Sequence, residues 1–325
     1  MIEKFYLAYA DGSEPGRNLA LESALLDNVL PGEMILYLWQ NDNTVLIGRN
    51  QDVYREVNLD SIERDSVHLM RRVSGGAAIY HDLGNLNYSF VARDADFSAD
   101  RQISIINDAI SGLGIPTEIK DKKSIFVDGR KVSGSAYYHL NGASIQQSSI
   151  LVSCDLDKVM EYIVPDPERF TKRGLVPINT RIANLCDTIP SLSVEEVGKA
   201  IISTCEDVFR IKCELYPMPN RDLIEQKEFM FNSKLWTYGR SIQVDHYCEN
   251  RFPWGEVRLE FQVENGEVAD VRVWSDSAEP SVITDMYKVL IGAPFTTKGL
   301  ISGLRQLEKS QERDDVISLI KEQEY

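Results

Sequence analysis

The sequence predicts an α+β fold, and three features of the 325-residue chain carry that prediction. Strand-like and helix-like segments are mixed without the regular alternation that a doubly wound parallel sheet requires. Asp128-Gly129 lies between two strand-like runs, and Asp-Gly is a strong signal for a tight hairpin. The sequence pattern also changes near residue 250, which indicates a large mixed-sheet domain followed by a small one.

Hydrophobic periodicity assigns the elements of the large domain in order. Apolar residues at helical spacing predict helices over 17–30, 101–114 and 194–209, the second ended by Gly112 and Gly114. Alternating or continuous apolar runs predict strands at MILYLWQ (34–40), TVLIGR (44–49), VHLMRR (67–72), NLNYSFVA (85–92), SIFVDGRKVSGSAYY (124–138, a hairpin) and SIQQSSILVSCDL (144–156).

The last quarter of the chain has its own hairpin signal. EVRLEFQVENGEVADVRVWSD (256–276) carries Asn-Gly between alternating runs, and two or three helical stretches follow, ending in SQERDDVISLIKEQEY. About 75 residues is near the lower end of what can bury its own core. We therefore expect a large catalytic domain over 1–248 and a small α+β C-terminal domain over 249–325.

Composition excludes several classes of partner. The chain is 43% hydrophobic and 26% charged, with a net charge of -15, which disfavours nucleic acid because phosphate backbones need a positive face. Its apolar runs are too short for a membrane span, and the N-terminus has no signal-peptide core. Five cysteines without CxxC spacing predict reduced thiols in a cytoplasm, and four histidines show no metal-ligand spacing.

The stretch RRVSGGAAIYHDLGN (71–85) is the first candidate for a binding site. Small residues let a ligand approach the backbone until the N–H groups donate hydrogen bonds to it. Arg71 and Arg72 alternate along a strand, so one of them is expected to point into the site and the other into solvent. His81 and Asp82 face opposite ways on the strand, so structural hydrogen bonding is expected of them rather than a proton relay.

A second small-residue stretch, KVSGSA (131–136), follows the Asp128-Gly129 turn. Lys131 on a strand above this bend is a stiff point charge suited to a phosphate or carboxylate. Lys122 and Lys123, in the same local basic cluster, are expected to be solvated. Together the two stretches predict one anionic pocket, with an apolar annex from Trp39, Leu46, Ile79 and Tyr80.

RRVSGGAAIYHDLGNLNYSF and DGRKVSGSAYY, in this order, resemble the lipoate–protein ligases of the biotin/lipoate ligase and octanoyltransferase superfamily. The resemblance runs nearly end to end and includes NLALE (18–22), LWQNDNTVLIGRNQ (38–51) and KLWTYGRS (234–241). It implies that ATP and lipoate, with Mg²⁺, form lipoyl-AMP. The lipoyl group then passes to a lysine of a lipoyl domain of a 2-oxoacid dehydrogenase subunit or of a glycine-cleavage H-type protein.

The resemblance also implies site residues. Lys131 is the expected catalytic residue, holding the carboxylate and the α-phosphate, and Arg72 is expected on the phosphate side. The expected contacts of the adenylate are Arg72, Ser74, Gly75, Gly76, Ala77, Ala78, Ile79, Tyr80, His81, Asn85 and Lys131, with the metal ligands left open.

Three departures from the family pattern keep alternatives open. This chain has Ala77 where a third glycine is usual, 121–124 (DKKS) in place of Gly-Arg-Asn-Asp, and 146–149 (QQSS) in place of His-His-Gly-Thr. One alternative is an ATP-independent lipoyl or octanoyl transferase that uses Cys154 or Cys186 as nucleophile. Others are a catalytically altered ligase and a silent binder of lipoylated proteins.

Overall fold

The structure, a computed structural model, describes residues 2–163, 181–239, 242–323 and 325. An eight-stranded mixed sheet is the centre of the large unit. Its strands are β1 (Lys4–Tyr9), β2 (Glu33–Trp39), β6 (Asn85–Arg93), β7 (Glu118–Lys120), β8 (Ser124–Val127), β9 (Arg130–Leu140), β10 (Ala143–Leu151) and β11 (Glu214–Leu215). Their order is β11-β1-β2-β6-β10-β9-β8-β7, parallel between β11, β1 and β2 and antiparallel elsewhere.

The turn chemistry matches the hairpin predictions. Asp128 and Gly129 have φ values of 48° and 75°, and Asn265 and Gly266 have 53° and 82°. A positive φ at both central residues matches the right-handed twist of the strands, and Asp-Gly and Asn-Gly adopt it at low cost. The strand expected over 144–156 ends earlier, at Leu151, because the chain then bends to bond the carbonyl of Gly84.

Helices cover both faces of the large sheet. They are α1 (Pro15–Asn28), α2 (Val53–Glu56), α3 (Leu59–Arg64), α4 (Ala99–Gly112), α5 (Leu156–Ile163), α6 (Val194–Phe209), α7 (Arg221–Phe231) and α8 (Lys234–Tyr238). One face packs on α4 and α6, and the other on α1 and α7. Because both faces are covered, every residue of β2 is buried.

A second sheet of three short strands lies beside the α1 side. Its order is β4-β3-β5, where β3 is Thr44–Ile47, β4 is His68–Arg71 and β5 is Ile79–His81. Leu46 and Met70 of this sheet join the core that α1 forms with the large sheet. The small-residue stretch 72–78 connects β4 to β5, so its position is fixed at both ends.

The C-terminal unit has a separate core. An antiparallel sheet, β12 (His246–Phe252), β13 (Gly255–Glu264) and β14 (Glu267–Ser275), packs on α9 (Pro280–Leu290), α10 (Thr297–Leu304) and α11 (Gln311–Gln323). The predicted α+β class, with a large mixed sheet and a small second unit, is confirmed. Strand β12 was not predicted, and it crosses the expected boundary at 248/249, which stays a prediction. Within the described residues, no helix combines the length and apolarity that a bilayer crossing needs.

Candidate active site

Both arginines that precede the small-residue stretch are buried, so the expectation that one is solvated is wrong. Arg71 and Arg72 are 4% and 3% exposed. The Arg71 guanidinium donates to the carbonyls of Gly48, Arg49, Gln51, Trp236 and Thr237 at 2.6–3.1 Å. The alternation rule failed because β4 ends at Arg71, and loops from two other parts of the chain present carbonyls to it.

Arg72 shapes the loop that follows it. Its guanidinium donates to the carbonyls of Gly75 (2.6 and 3.1 Å), Ala77 (2.8 Å) and Leu46 (3.0 Å). Gly76 has a φ of 88°, whereas Ala77 does not have a positive φ. The methyl group of Ala77 therefore causes no backbone strain. The expected contact of Arg72 with a phosphate stays a prediction.

The two small-residue stretches meet on one face of the large sheet. The Ser74 hydroxyl donates to Gln147 Oε1 at 2.5 Å, and His81 Nε2 lies 2.9 Å from Ser149 Oγ. Gln147 pairs with Ala136 and Ser149 pairs with Gly134 on β9, so all four belong to the α1 face. Gln147 and Ser149, two of the departures from the family pattern, thus hold the loop against the sheet.

Lys131 brings a charge to the same face. A β-carbon at Gly134 would overlap the Lys131 ammonium group, so the glycine leaves the space that this side chain occupies. Among the described residues, the ammonium has no hydrogen bond or ion pair. Burial, followed by the charge of Lys123, lowers its pKa to about 8; the charge of Arg181 acts in the same direction and that of Asp121 opposes it. An ammonium over a glycine, without a partner in the described ranges, suits an anionic ligand.

The other predicted site residues contact neighbouring parts of the protein, and these contacts support the loop. His81 is buried against Trp39, and burial followed by the charge of Arg72 lowers its pKa to about 3, so it is neutral at pH 7. The Asn85 amide donates to the Tyr80 carbonyl at 3.0 Å, and the Tyr80 hydroxyl donates to Asn43 at 3.1 Å. Ala78 is buried, and Ile79 is half-buried in β5. These contacts fix the loop, and direct contact with a ligand stays a prediction.

The C-terminal unit covers the small-residue loop. The Gly76 N–H donates to the Ser277 carbonyl at 2.6 Å, and the Tyr137 N–H to the Ala278 carbonyl at 3.3 Å. A β-carbon at Gly75 would overlap the Ser277 carbonyl. A cavity of about 590 Å³ lies elsewhere, between Tyr9, Gln40, Leu83 and α6. Residues 277 and 278 therefore cover the loop at Gly75 and Gly76, whereas Ala77 is exposed.

Two buried polar residues on this face were missed from the sequence. Glu22 accepts a hydrogen bond from Ser89, and burial raises its pKa to about 8 although Ser89 and Arg72 oppose that shift. Asn87 is fully buried, and its amide nitrogen and oxygen both lack partners among the described residues. The position of Glu22, three residues after Leu19 and four before Leu26, placed it on the apolar helix face and could have revealed it.

Comparison with known proteins agrees with this geometry. The lipoyl protein ligase A/B catalytic domain model matches residues 14–206, and the bacterial lipoate protein ligase C-terminus model matches 241–320. A lipoate-protein ligase A of Blochmanniella pennsylvanica is 31% identical over 91% of this chain and 90% of its own.

Two solved structures are also similar. The LipL1 protein of P. falciparum, solved in complex with lipoate, has a TM-score of 0.87 at 23% identity and covers 97% of this chain and 99% of its own. A lipoate-protein ligase A bound with ATP has a TM-score of 0.61 at 25% identity and covers 74% and 99%. Since the catalytic-domain model spans more than half of the sequence and the bacterial relative matches nearly all of it, the chain belongs to the lipoyl protein ligase A/B family.

Proposed function

We propose that this chain is an ATP-dependent lipoate–protein ligase that makes lipoyl-AMP and passes the lipoyl group to an acceptor protein. The observation that carries the proposal is the Lys131 ammonium beside Gly134, which has no hydrogen bond or ion pair in the described part of the chain and lies on the sheet face of the 72–81 loop. Family membership, and a similar protein solved with ATP, support ATP as the substrate that activates lipoate.

The activation step brings two anions together. A lipoate carboxylate oxygen attacks the α-phosphorus of ATP, the bond from that phosphorus to the bridging oxygen breaks, and pyrophosphate leaves with the electron pair. The main obstacles are charge repulsion and alignment. The Lys131 ammonium, held on a strand, would reduce the charge repulsion. Backbone N–H groups of the 74–78 stretch would hold the adenylate in position.

In the transfer step, the amine of an acceptor lysine attacks the acyl carbon, AMP leaves, and the amine loses a proton. We propose a lipoyl domain of a 2-oxoacid dehydrogenase subunit or a glycine-cleavage H-type protein as acceptor, and the cytoplasm as compartment. Burial raises the pKa of both Cys154 and Cys186, so neither is activated as a thiolate. This favours the ligase over a cysteine-dependent transferase.

The described residues around Lys131 do not by themselves make a magnesium site. The charge of Asp121 raises the pKa of the ammonium, and the charges of Lys123 and Arg181 lower it. Among the described residues, no three His, Cys, Asp or Glu side chains gather to hold a metal ion. Mg²⁺ commonly binds through substrate phosphates with few protein ligands, so we propose that it comes with the triphosphate, and we derive no step through it.

Lipoate-dependent ATP–pyrophosphate exchange tests the proposal directly. The full chain is expected to exchange labelled pyrophosphate into ATP only when lipoate is present, and Cys154→Ser and Cys186→Ser are expected to exchange at the wild-type rate. Absence of exchange, together with octanoyl transfer from a carrier protein that either cysteine variant abolishes, would instead establish the ATP-independent transferase.

The activation step is expected to weaken at alkaline pH. Because the pKa of Lys131 is lowered to about 8, the side chain is fully charged well below pH 8 and loses its charge as the pH rises through 8. We expect kcat/KM for ATP to fall about tenfold per pH unit above 8. Lys131→Arg, which stays charged, should remove this fall whatever its absolute rate. A wild-type profile that is flat to pH 9.5 would contradict the assignment.

We also expect the C-terminal unit to move when the adenylate forms. The Gly76 N–H that would meet the adenylate now donates to Ser277. Interfaces between units of this size are commonly mobile. Small-angle scattering with and without lipoyl-AMP is expected to differ, while lipoate alone should leave the curve unchanged. Identical curves with lipoyl-AMP bound would show that the loop accepts its ligand in the closed arrangement.

A further inference from the structure

Three cations at and around Lys131 make no ion pair with a carboxylate among the described residues. Two other basic residues nearby are paired: Lys120 with Glu118 at 3.1 Å and Arg130 with Asp187 at 3.5 Å. Among the described residues, no ion pair or side-chain hydrogen bond is made by Lys123, Lys131 or Arg181. The Arg181 Nε is buried as well as unpartnered. Such groups cost free energy unless an anion joins them.

The backbone places the three residues together. The Lys123 carbonyl accepts from the Ser135 N–H at 2.8 Å, one residue beyond the Gly134 that faces the Lys131 ammonium. On the other side, the Lys131 N–H donates to the Arg181 carbonyl at 2.7 Å, and the Ala183 N–H donates to the Lys131 carbonyl at 3.0 Å. Lys123 and Arg181 therefore flank Lys131. Their charges act on its ammonium and lower its pKa.

Three neighbouring cations without an ion pair among the described residues, with Asp121 as the carboxylate that acts on Lys131 within this part of the chain, suit a polyanion. A carboxylate or one phosphate would be matched by Lys131 alone, whereas the β- and γ-phosphates of a triphosphate carry the extra charge. We propose that Lys123 and Arg181, beside Lys131, form the subsite for the β- and γ-phosphates and thus for the departing pyrophosphate. This inference rests on the proposed function for its role in the reaction.

The chemical consequence lies in the leaving group. When the bond between the α-phosphorus and the bridging oxygen breaks, the electron pair stays on pyrophosphate. Cations fixed at that position stabilise the developing charge without reorganising. Lys123 and Arg181 therefore assist the activation step, and they have no task in the later attack of the acceptor amine, when pyrophosphate has left.

Lys123→Gln and Lys122→Gln make a matched pair for the test. Lys122 is the exposed neighbour with no described ion pair, and each change removes one charge from the same turn. By calorimetry with inorganic pyrophosphate, we expect Lys123→Gln to weaken binding by about 10-fold, as for loss of a charge-assisted contact, and Lys122→Gln by less than about twofold. ATP–pyrophosphate exchange should fall in parallel, while transfer from supplied lipoyl-AMP should be unchanged.

The outcomes separate this inference from the proposed function. Equal pyrophosphate affinity in the two variants would overturn the subsite. So would slower transfer from lipoyl-AMP at limiting acceptor with unchanged pyrophosphate affinity, since Lys123 would then contact the acceptor protein. If wild-type protein binds pyrophosphate through Lys123 but shows no lipoate-dependent exchange, the subsite stands and the ligase proposal fails.

Discussion

Replacing Lys131 with alanine is expected to lower lipoate-dependent ATP–pyrophosphate exchange by about 10²–10³-fold, as for the loss of one preorganised group at a developing charge. The ammonium has no hydrogen bond or ion pair among the described residues, so we expect its removal to leave the fold unchanged. Exchange measured at saturating ATP and lipoate, with circular dichroism to check folding, is the appropriate assay. Near-normal exchange would remove the main support for the proposed mechanism.

Gly134→Ala offers a second route to the same question. Its methyl group would overlap the Lys131 ammonium, which can swing away because it is the end of a flexible side chain. Exchange should therefore fall although the lysine is still present. Lys122→Ala is the control, because it removes a lysine from the neighbouring turn without touching the ammonium.

Arg71→Ala is expected to destabilise the protein by about 3–4 kcal/mol, because several buried carbonyls lose a charged donor at once. The guanidinium, at the end of β4, donates to carbonyls of the 48–51 loop and of residues 236 and 237, and so links these two parts of the chain. Urea unfolding of the full chain measures the effect. Arg71→Lys should recover part of the loss, since an ammonium has three donors but no planar fork.

Arg221→Ala is the matched control for this stability prediction. Its guanidinium pairs with Glu225 on an exposed helix face, where ion pairs contribute little. If the two alanine variants unfolded at the same urea concentration, the buried contacts of Arg71 would not stabilise the fold as argued.

Local signals predicted the regular elements well where a cap or turn defined the ends. Helix α6 spans the predicted 194–209 because Ser193 and Glu196 form a capping box directly before and within it. Helix α4 begins two residues before the predicted 101, since Ser98 is the capping residue. Strand β12 was missed because it is polar along most of its length, and Cys248 is its one buried residue.

The site was predictable only in part. Small residues and Lys131 are local patterns, and the structure brings them to one sheet face. Arg181 is separated from Lys131 by fifty residues, and the parallel bridge between Lys131 and Ile182 that brings the two segments together has no sequence signature. The burial of both arginines was missed for the same reason: strand alternation ends with β4 at Arg71, and it does not predict the carbonyls that distant loops bring to the two guanidinium groups.

In the proposed mechanism, an incoming adenylate competes with the Ser277 carbonyl for the Gly76 N–H, and this competition would set an equilibrium that precedes binding. The apparent dissociation constant equals the intrinsic constant divided by the fraction of molecules in which residues 277 and 278 have withdrawn. An open fraction of about 1% would weaken apparent affinity about 100-fold. The apparent affinity therefore depends both on the contacts that the loop makes with the ligand and on the fraction of open molecules. A mutation distant from every ligand atom can change the affinity by changing that fraction alone.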